Sequence, residues 1–120
     1  MQTLKEKMTF IGRLQKRPEF LRAAKDGQRW VSKGLTLQAV KNDYDQSRFG
    51  LTITKKIYKQ AVKRNLIRRR MRAVAYEVLT EDAKQGYDFV LIGKTDTLDR
   101  PYSDLVKDLK WCLKKLELLK

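Results

Sequence analysis

Apolar positions recur along this chain with periods that alternate between helix and strand. Pro18, an apolar patch of Phe20, Leu21, Ala23 and Ala24, and then Gly27 predict a helix over about 17–26, with proline early and glycine just past the end. From Trp30 to Val40 the residues Leu35, Leu37 and Ala39 alternate with Gly34, Thr36 and Gln38, which predicts a strand. The polar run Asn42-Asp43-Tyr44-Asp45-Gln46-Ser47 reads as a turn. A second strand follows, with Phe49, Leu51 and Ile53 on one face and Arg48, Gly50, Thr52 and Thr54 on the other. Lys59 to Leu79, free of Gly and Pro, predicts a long helix. Gly86 breaks the chain before Tyr87-Asp88-Phe89-Val90-Leu91-Ile92, a short run of buried-strand type. A last helix starts near Pro101 and carries Leu105, Leu109, Cys112, Leu116 and Leu119 at four- and three-residue steps. The order α-β-β-α-β-α, without repeat or linker, predicts a single two-layer α/β domain over 1–120.

Length and composition narrow the class. A chain of 120 residues with 42% hydrophobic content has material for one core. Apolar runs such as Phe89-Val90-Leu91-Ile92 reach four residues, against the ~20 of a membrane-spanning helix. The opening MQTLKEKMTFIGRLQKR has no apolar stretch of secretory length, and the single Cys112 suits a reducing compartment, so a cytoplasmic chain is expected. There is no histidine, which excludes His-activated nucleophiles, His acid–base chemistry and Cys/His zinc sites.

Charge changes the picture more. Lys and Arg total 28 against 14 Asp and Glu, and the excess is confined to the first two-thirds of the chain. Residues 1–76 hold 20 basic and 5 acidic side chains, whereas 77–120 hold 8 and 9. Between Asp45 and Glu77 ten bases occur without one acid. So one-sided a field points to a polyanionic partner, nucleic acid ahead of a membrane surface.

The segment FGLTITKKIYKQAVKRNLIRRRMRAVAY, residues 49–76, sharpens this. At 100° per residue, Ile67, Met71, Val74 and Val78 fall within about 60° of one another as a core stripe. Asn65, Arg68, Arg69 and Arg72 fall within about 100° on the far side, with Arg64 between the two sets. Basic helical faces are usually just solvated. Here, though, like charges crowd one helix without interleaved Glu, which costs stability and favours an anionic ligand. Arginine binds phosphate bidentately, and an asparagine among arginines adds hydrogen bonding to a ribose hydroxyl or base edge.

The string Lys63-Arg64-Asn65-Leu66-Ile67-Arg68-Arg69-Arg70-Met71-Arg72, after Gly50-Leu51-Thr52-Ile53-Thr54-Lys55-Lys56, resembles the signature of the bacterial ribonuclease P protein subunit. Arg64, Asn65, Arg68, Arg69 and Arg72 match its arginine–asparagine motif, and Arg13-Leu14, Phe20, Gly27 and the Lys55-Lys56 pair agree in order. The resemblance implies a ribosomal-protein-like fold with a left-handed β-α-β crossover. It implies as partners a catalytic RNA subunit and precursor tRNA, whose 5′ leader the ribonucleoprotein removes. Catalysis and magnesium would then belong to the RNA, with no catalytic side chain, protein metal ligand or protein partner expected. Lys55, Lys56, Lys63, Arg64, Asn65, Arg68, Arg69 and Arg72 would bind RNA, and Phe20 would line a leader cleft between the first helix and the sheet. A second cleft aromatic is replaced by Ala24, and Trp30 is the candidate to compensate.

Trp30 also suits a core or rim position, Trp111 packing beside the leucine stripe, and that stripe docking on the sheet rather than a dimer seam. Asp88, Asp96 and Asp99 lack the spacing of a paired-metal nuclease and read as surface acids in turns. A plain RNA-binding or ribosomal protein and a protein-only nuclease are the rival classes.

Overall fold

The computed structural model describes residues 11–53, 56 and 58–120. Strand β1 (Gly12–Arg13) leads into helix α1 (Arg17–Asp26), followed by strands β2 (Gln28–Val31), β3 (Leu35–Lys41) and β4 (Arg48–Thr52). Helix α2 (Ala61–Glu81), strand β5 (Tyr87–Gly93), the short helix α3 (Thr95–Asp99) and helix α4 (Tyr102–Lys115) complete the chain. One five-stranded sheet runs β1-β4-β5-β3-β2. β1, β4 and β5 are parallel, β3 runs against β5, and β2 runs against β3. α2 is therefore the crossover between the adjacent parallel strands β4 and β5.

The stretch from Trp30 to Val40 is not one strand. It folds back as a hairpin, with Trp30 paired to Leu37 and Val31 to Thr36. Ser32-Lys33-Gly34 make the turn, where the Ser32 amide and hydroxyl both donate to the Leu35 carbonyl at 3.0 and 2.5 Å. β1 and α3, of two and five residues, are too short to show a period. Thr54 of the second expected strand, and Lys55, lie outside the described residues. α4 stops at Lys115, and the chain turns at Glu117 (φ 61°) so that Leu119 bridges Ala83.

Alternation along the strands sorts side chains to two faces. Leu35, Leu37, Phe49, Phe89 and Leu91 lie on one face and are buried against α2 and α4. The α2 stripe Ile67, Met71, Val74 and Val78 and the α4 residues Leu105, Leu109 and Cys112 are fully buried there. α2 approaches β5 so closely that a Cβ on Gly93 would lie 2.8 Å from Ile67 and 2.9 Å from Ile53. These are the two principal layers, sheet and α2–α4. Among the described residues the opposite face carries α1 alone, over a small cluster of Leu14, Ala23, Val40 and Val90 with Phe20 and Ile92 at its margin. Thr36 and Gln38 on this face are buried too, so β3 is enclosed on both faces despite its polar–apolar alternation.

Candidate nucleic-acid interface

α2 presents its arginines by the geometry that buries its stripe. Asn65 and Arg69 are exposed and Arg68 and Arg72 half-buried on the outer face. Arg68 Nη1 donates to Asn65 Oδ1 at 3.2 Å, which joins the two side chains into one polar surface. The Nε of Arg72 is enclosed and has no hydrogen-bond partner among the described residues. Arg64 turns back, and its Nη1 donates to the carbonyls of Tyr58 (2.7 Å) and Lys59 (2.6 Å), so it braces the segment entering the helix. Lys63 is exposed with its Nζ 5.0 Å from the Tyr58 ring centre, and Lys56 is exposed. No acid lies in the first turn of α2, which leaves the positive end of the helix dipole uncompensated.

Two neighbours of this row behave differently. Arg70 points to the other flank, where its Nε donates to the Thr97 carbonyl at 2.9 Å and its Nη2 to the Arg100 carbonyl, fastening α2 to α3. Tyr76, one turn beyond Arg72, is 45% exposed on the arginine side and sits edge-on to buried Phe49 at 5.2 Å. Its four-residue spacing from Arg72 was visible in the sequence. At 100° per residue Tyr76 falls inside the arginine arc, opposite the core stripe, so rotation alone could have found it.

The second region lies between α1 and the sheet. A hollow of about 260 Å³ is lined by Phe20, Leu21 and Ala24 of α1 and by Gln38, Val90 and Ile92 of the sheet. A second, of about 320 Å³, shares Arg17, Phe20 and Thr52 with it and adds Gln15 and Leu51. Phe20 thus faces the sheet, half-buried, rather than standing on the outer side of its helix. Its ring rests on Gly50, where a Cβ would lie 2.5 Å from the ring carbons. Gly50→Ala is expected to push Phe20 off this floor and cost about 1–3 kcal/mol of stability by overpacking, measured by urea unfolding.

Trp30 does not join Phe20. Its register with Leu37 puts it on the opposite sheet face, against α4, where its carbonyl lies 3.7 Å from Cys112 Sγ. Lys115 Nζ stands 5.9 Å from the Trp30 ring and 4.4 Å from that of Trp111, and both indoles are about two-fifths to one-half exposed. Trp30 therefore cannot stand in for the aromatic that Ala24 replaces. Burial pushes the Cys112 thiol up to about 11, far from the thiolate a reactive cysteine needs.

Asp88 is not a surface acid in a turn. It lies in β5, 1% exposed, and receives Arg48 Nε at 2.9 Å and Nη2 at 2.6 Å as well as Asn42 Nδ2 at 2.9 Å. Arg48 Nη1 continues to Glu19 Oε2 of α1 at 2.8 Å, and the Asp88 contact raises the guanidinium further above its ordinary range. Glu19 Oε1 accepts the amides of Gln15 and Lys16, each at 2.9 Å. Those amides, with Arg48 behind them, hold its carboxyl below the usual carboxylate range. A lowered folded-state pKa gives stability that is complete above the unfolded value of about 4.3 and lost as pH falls through the folded one. Wild type and Glu19→Gln are therefore expected to differ in urea midpoint near neutrality and to converge below about pH 4.

Asp88, Asp96 and Asp99 are not brought together as a cluster. Among the described residues no three Asp, Glu, Cys or His side chains converge as ligands. Asp88 is engaged as above and Asp108 is paired with Arg100 at 2.5 Å. Asp96 and Asp99 are exposed on α3, around a 230 Å³ hollow that Lys33 and Arg100 also line, and those cations oppose a metal. No helix among the described residues is long and apolar enough to cross a membrane.

Comparison with known proteins decides the family. The profile of the ribonuclease P family matches residues 8–117. The ribonuclease P protein component of Gluconacetobacter diazotrophicus is 45% identical over 104 residues, 86% of this chain and 89% of that protein. The chain belongs to the ribonuclease P protein family. The component from Paramagnetospirillum magneticum is 40% identical over 114 residues, 91% of this chain and 85% of its own. Among solved structures, the RNase P protein of Staphylococcus aureus superposes with a TM-score of 0.74 at 24% identity, over 90% of this chain and 97% of that one. The Thermotoga maritima RNase P protein gives 0.68 at 24% identity, over 81% and 90%. These two structures share the fold.

Proposed function

We propose that this chain is the RNA-binding protein subunit of a ribonucleoprotein ribonuclease P, promoting removal of the 5′ leader from precursor tRNA. The observation that carries the reading is the outer face of α2, where Asn65, Arg68, Arg69 and Arg72 form a row beside a fully buried stripe. Guanidinium groups in such a row pair with phosphates of the RNA subunit, and Asn65 adds a hydrogen bond to a sugar or base edge. Lys56 and Lys63, both exposed, extend this field toward the start of the helix, and Lys55 is a further RNA-binding candidate on its sequence position alone. Leader nucleotides occupy the hollow under α1, where Phe20 offers a ring to stack upon and Arg17 a charge for the backbone. Chemistry and magnesium belong to the RNA in this reading. The chain's own residues bind, orient and neutralise phosphate charge. Cytoplasmic residence follows from that role.

Incubating the purified chain with precursor tRNA, with and without a ribonuclease P RNA subunit, tests it. Cleavage is expected only with the RNA present, faster with the protein than without it at low magnesium. Phe20→Ala is expected to weaken precursor binding by ~1–3 kcal/mol while leaving mature tRNA affinity unchanged. Because Phe20 is half-buried, some loss of stability should accompany it. Cutting by RNA-free protein would reinstate a protein nuclease, and binding of RNA without any stimulation would leave a plain RNA-binding protein.

A further inference from the structure

We infer that Arg48 is a positioning residue for the leader cleft, setting the distance of α1 from the sheet through Glu19 and thereby the seat of Phe20; this rests on the leader-cleft reading above. The apolar attachment of α1 is small. Within the helix only Ala23 is fully buried, and the cluster beneath it holds Leu14, Val40 and Val90. Polar contacts supply the rest. One guanidinium spends all three nitrogens on two acids of different elements, Nε and Nη2 on Asp88 of β5 and Nη1 on Glu19 of α1. Arg48 itself belongs to β4, so a single planar group ties two strands to the helix. Such charge-assisted, bidentate contacts fix direction as well as distance.

The far ends of the bridge are fixed too. Asp88 is nine-tenths and more buried and is held from its other side by Asn42. Glu19 is locked by the Gln15 and Lys16 amides at the start of α1. One turn on, Arg22 Nη2 donates to the Lys41 carbonyl at 2.7 Å and its Nη1 lies 3.8 Å from Asp88. Phe20 follows Glu19 directly, and its ring lies on Gly50, two residues after Arg48 on the same face of β4. Lengthening or breaking the Arg48–Glu19 contact therefore moves the ring that the leader stacks upon. Arg48 touches no leader atom in this arrangement and acts through Glu19.

Affinities of the reconstituted holoenzyme for precursor and for mature tRNA test this in wild type, Glu19→Gln, Glu19→Ala and Arg48→Lys. Glu19→Gln keeps the amide-accepting oxygen but places an NH₂ against Arg48 Nη1, so the helix cap stays and the bridge is lost. Both Glu19 variants leave the buried Arg48–Asp88 pair intact, which protects the test from misfolding. The expected result is a precursor-to-mature affinity ratio about three- to tenfold lower in all three variants, with RNA-subunit and mature tRNA affinities unchanged. A wild-type ratio in Glu19→Gln and Arg48→Lys overturns the proposal. So does a ratio lowered in Glu19→Ala alone, because the cap and not the bridge would then be responsible. A wild-type holoenzyme without preference for precursor would instead remove the leader-cleft reading, and the positioning role with it.

Discussion

Replacing Arg68, Arg69 and Arg72 together by alanine is expected to weaken binding of the RNA subunit by on the order of a thousandfold or more. Each bidentate phosphate contact is worth ~1–3 kcal/mol, and three of them reach that range even with imperfect additivity. The slope of log K against log salt should fall by about three, one per lost phosphate contact. Folding should be spared. Arg69 and Arg72 make no side-chain hydrogen bond among the described residues, and Arg68 bonds only Asn65. Removing like charges from adjacent turns should if anything raise the melting temperature slightly. Arg70→Ala is the informative contrast, because its guanidinium bridges to Thr97 and Arg100; it should lose stability with little change in RNA affinity. Arg64→Ala should show both effects, since that side chain also braces Tyr58 and Lys59. Arg100 lies outside the basic tract but is paired with Asp108, so exposed Lys84→Ala is the cleaner control. A triple variant indistinguishable from Lys84→Ala, measured by filter binding across a salt series, would refute the arginine row.

Arg48→Met should be the most destabilising single change away from the apolar core, at about 3–5 kcal/mol. The side chain is not itself fully buried, but its loss leaves Asp88, which is 1% exposed, with the Asn42 hydrogen bond and the more distant Arg22 guanidinium at 3.8 Å. A melting temperature lowered by on the order of 10–20 °C is the calorimetric form of that cost. Arg48→Met combined with Asp88→Leu should recover most of it, because a matched apolar pair leaves no buried charge unanswered. Failure of the double variant to recover would mean that the strands need the ion pair for their register.

The three longer helices were legible from the sequence because their signals are local. Ile67, Met71, Val74 and Val78 recur at helical spacing within one uninterrupted segment, so the stripe and the arginine row opposite it both follow from rotation alone. What was hidden depends on partners far along the chain. The side of the sheet on which Trp30 lies is set by its pairing with Leu37, and that register depends on a three-residue turn that the alternation of Leu35, Leu37 and Ala39 ran through. Asp88 sits in an apolar run where an acid looks like an edge, and the arginine that makes its burial tolerable is forty residues earlier. The floor on which the Phe20 ring rests, Gly50, was hidden as well, because a ten-residue helix with one fully buried position does not show which strand residue lies beneath it.

The placement of α2 between β4 and β5 has a kinetic consequence. Those strands are neighbours in the sheet, yet 34 positions separate Thr52 from Tyr87, and the 21-residue helix takes up most of that gap. Forming the helix early shortens the effective loop that must close before the parallel pair can zip, so its inward side chains should govern the rate of folding. The outward arginines enter that step only through repulsion between adjacent turns. The two sides of one helix are therefore open to change on separate terms: Ile67 or Met71 through the folding barrier, Arg69 or Arg72 through affinity for the ligand.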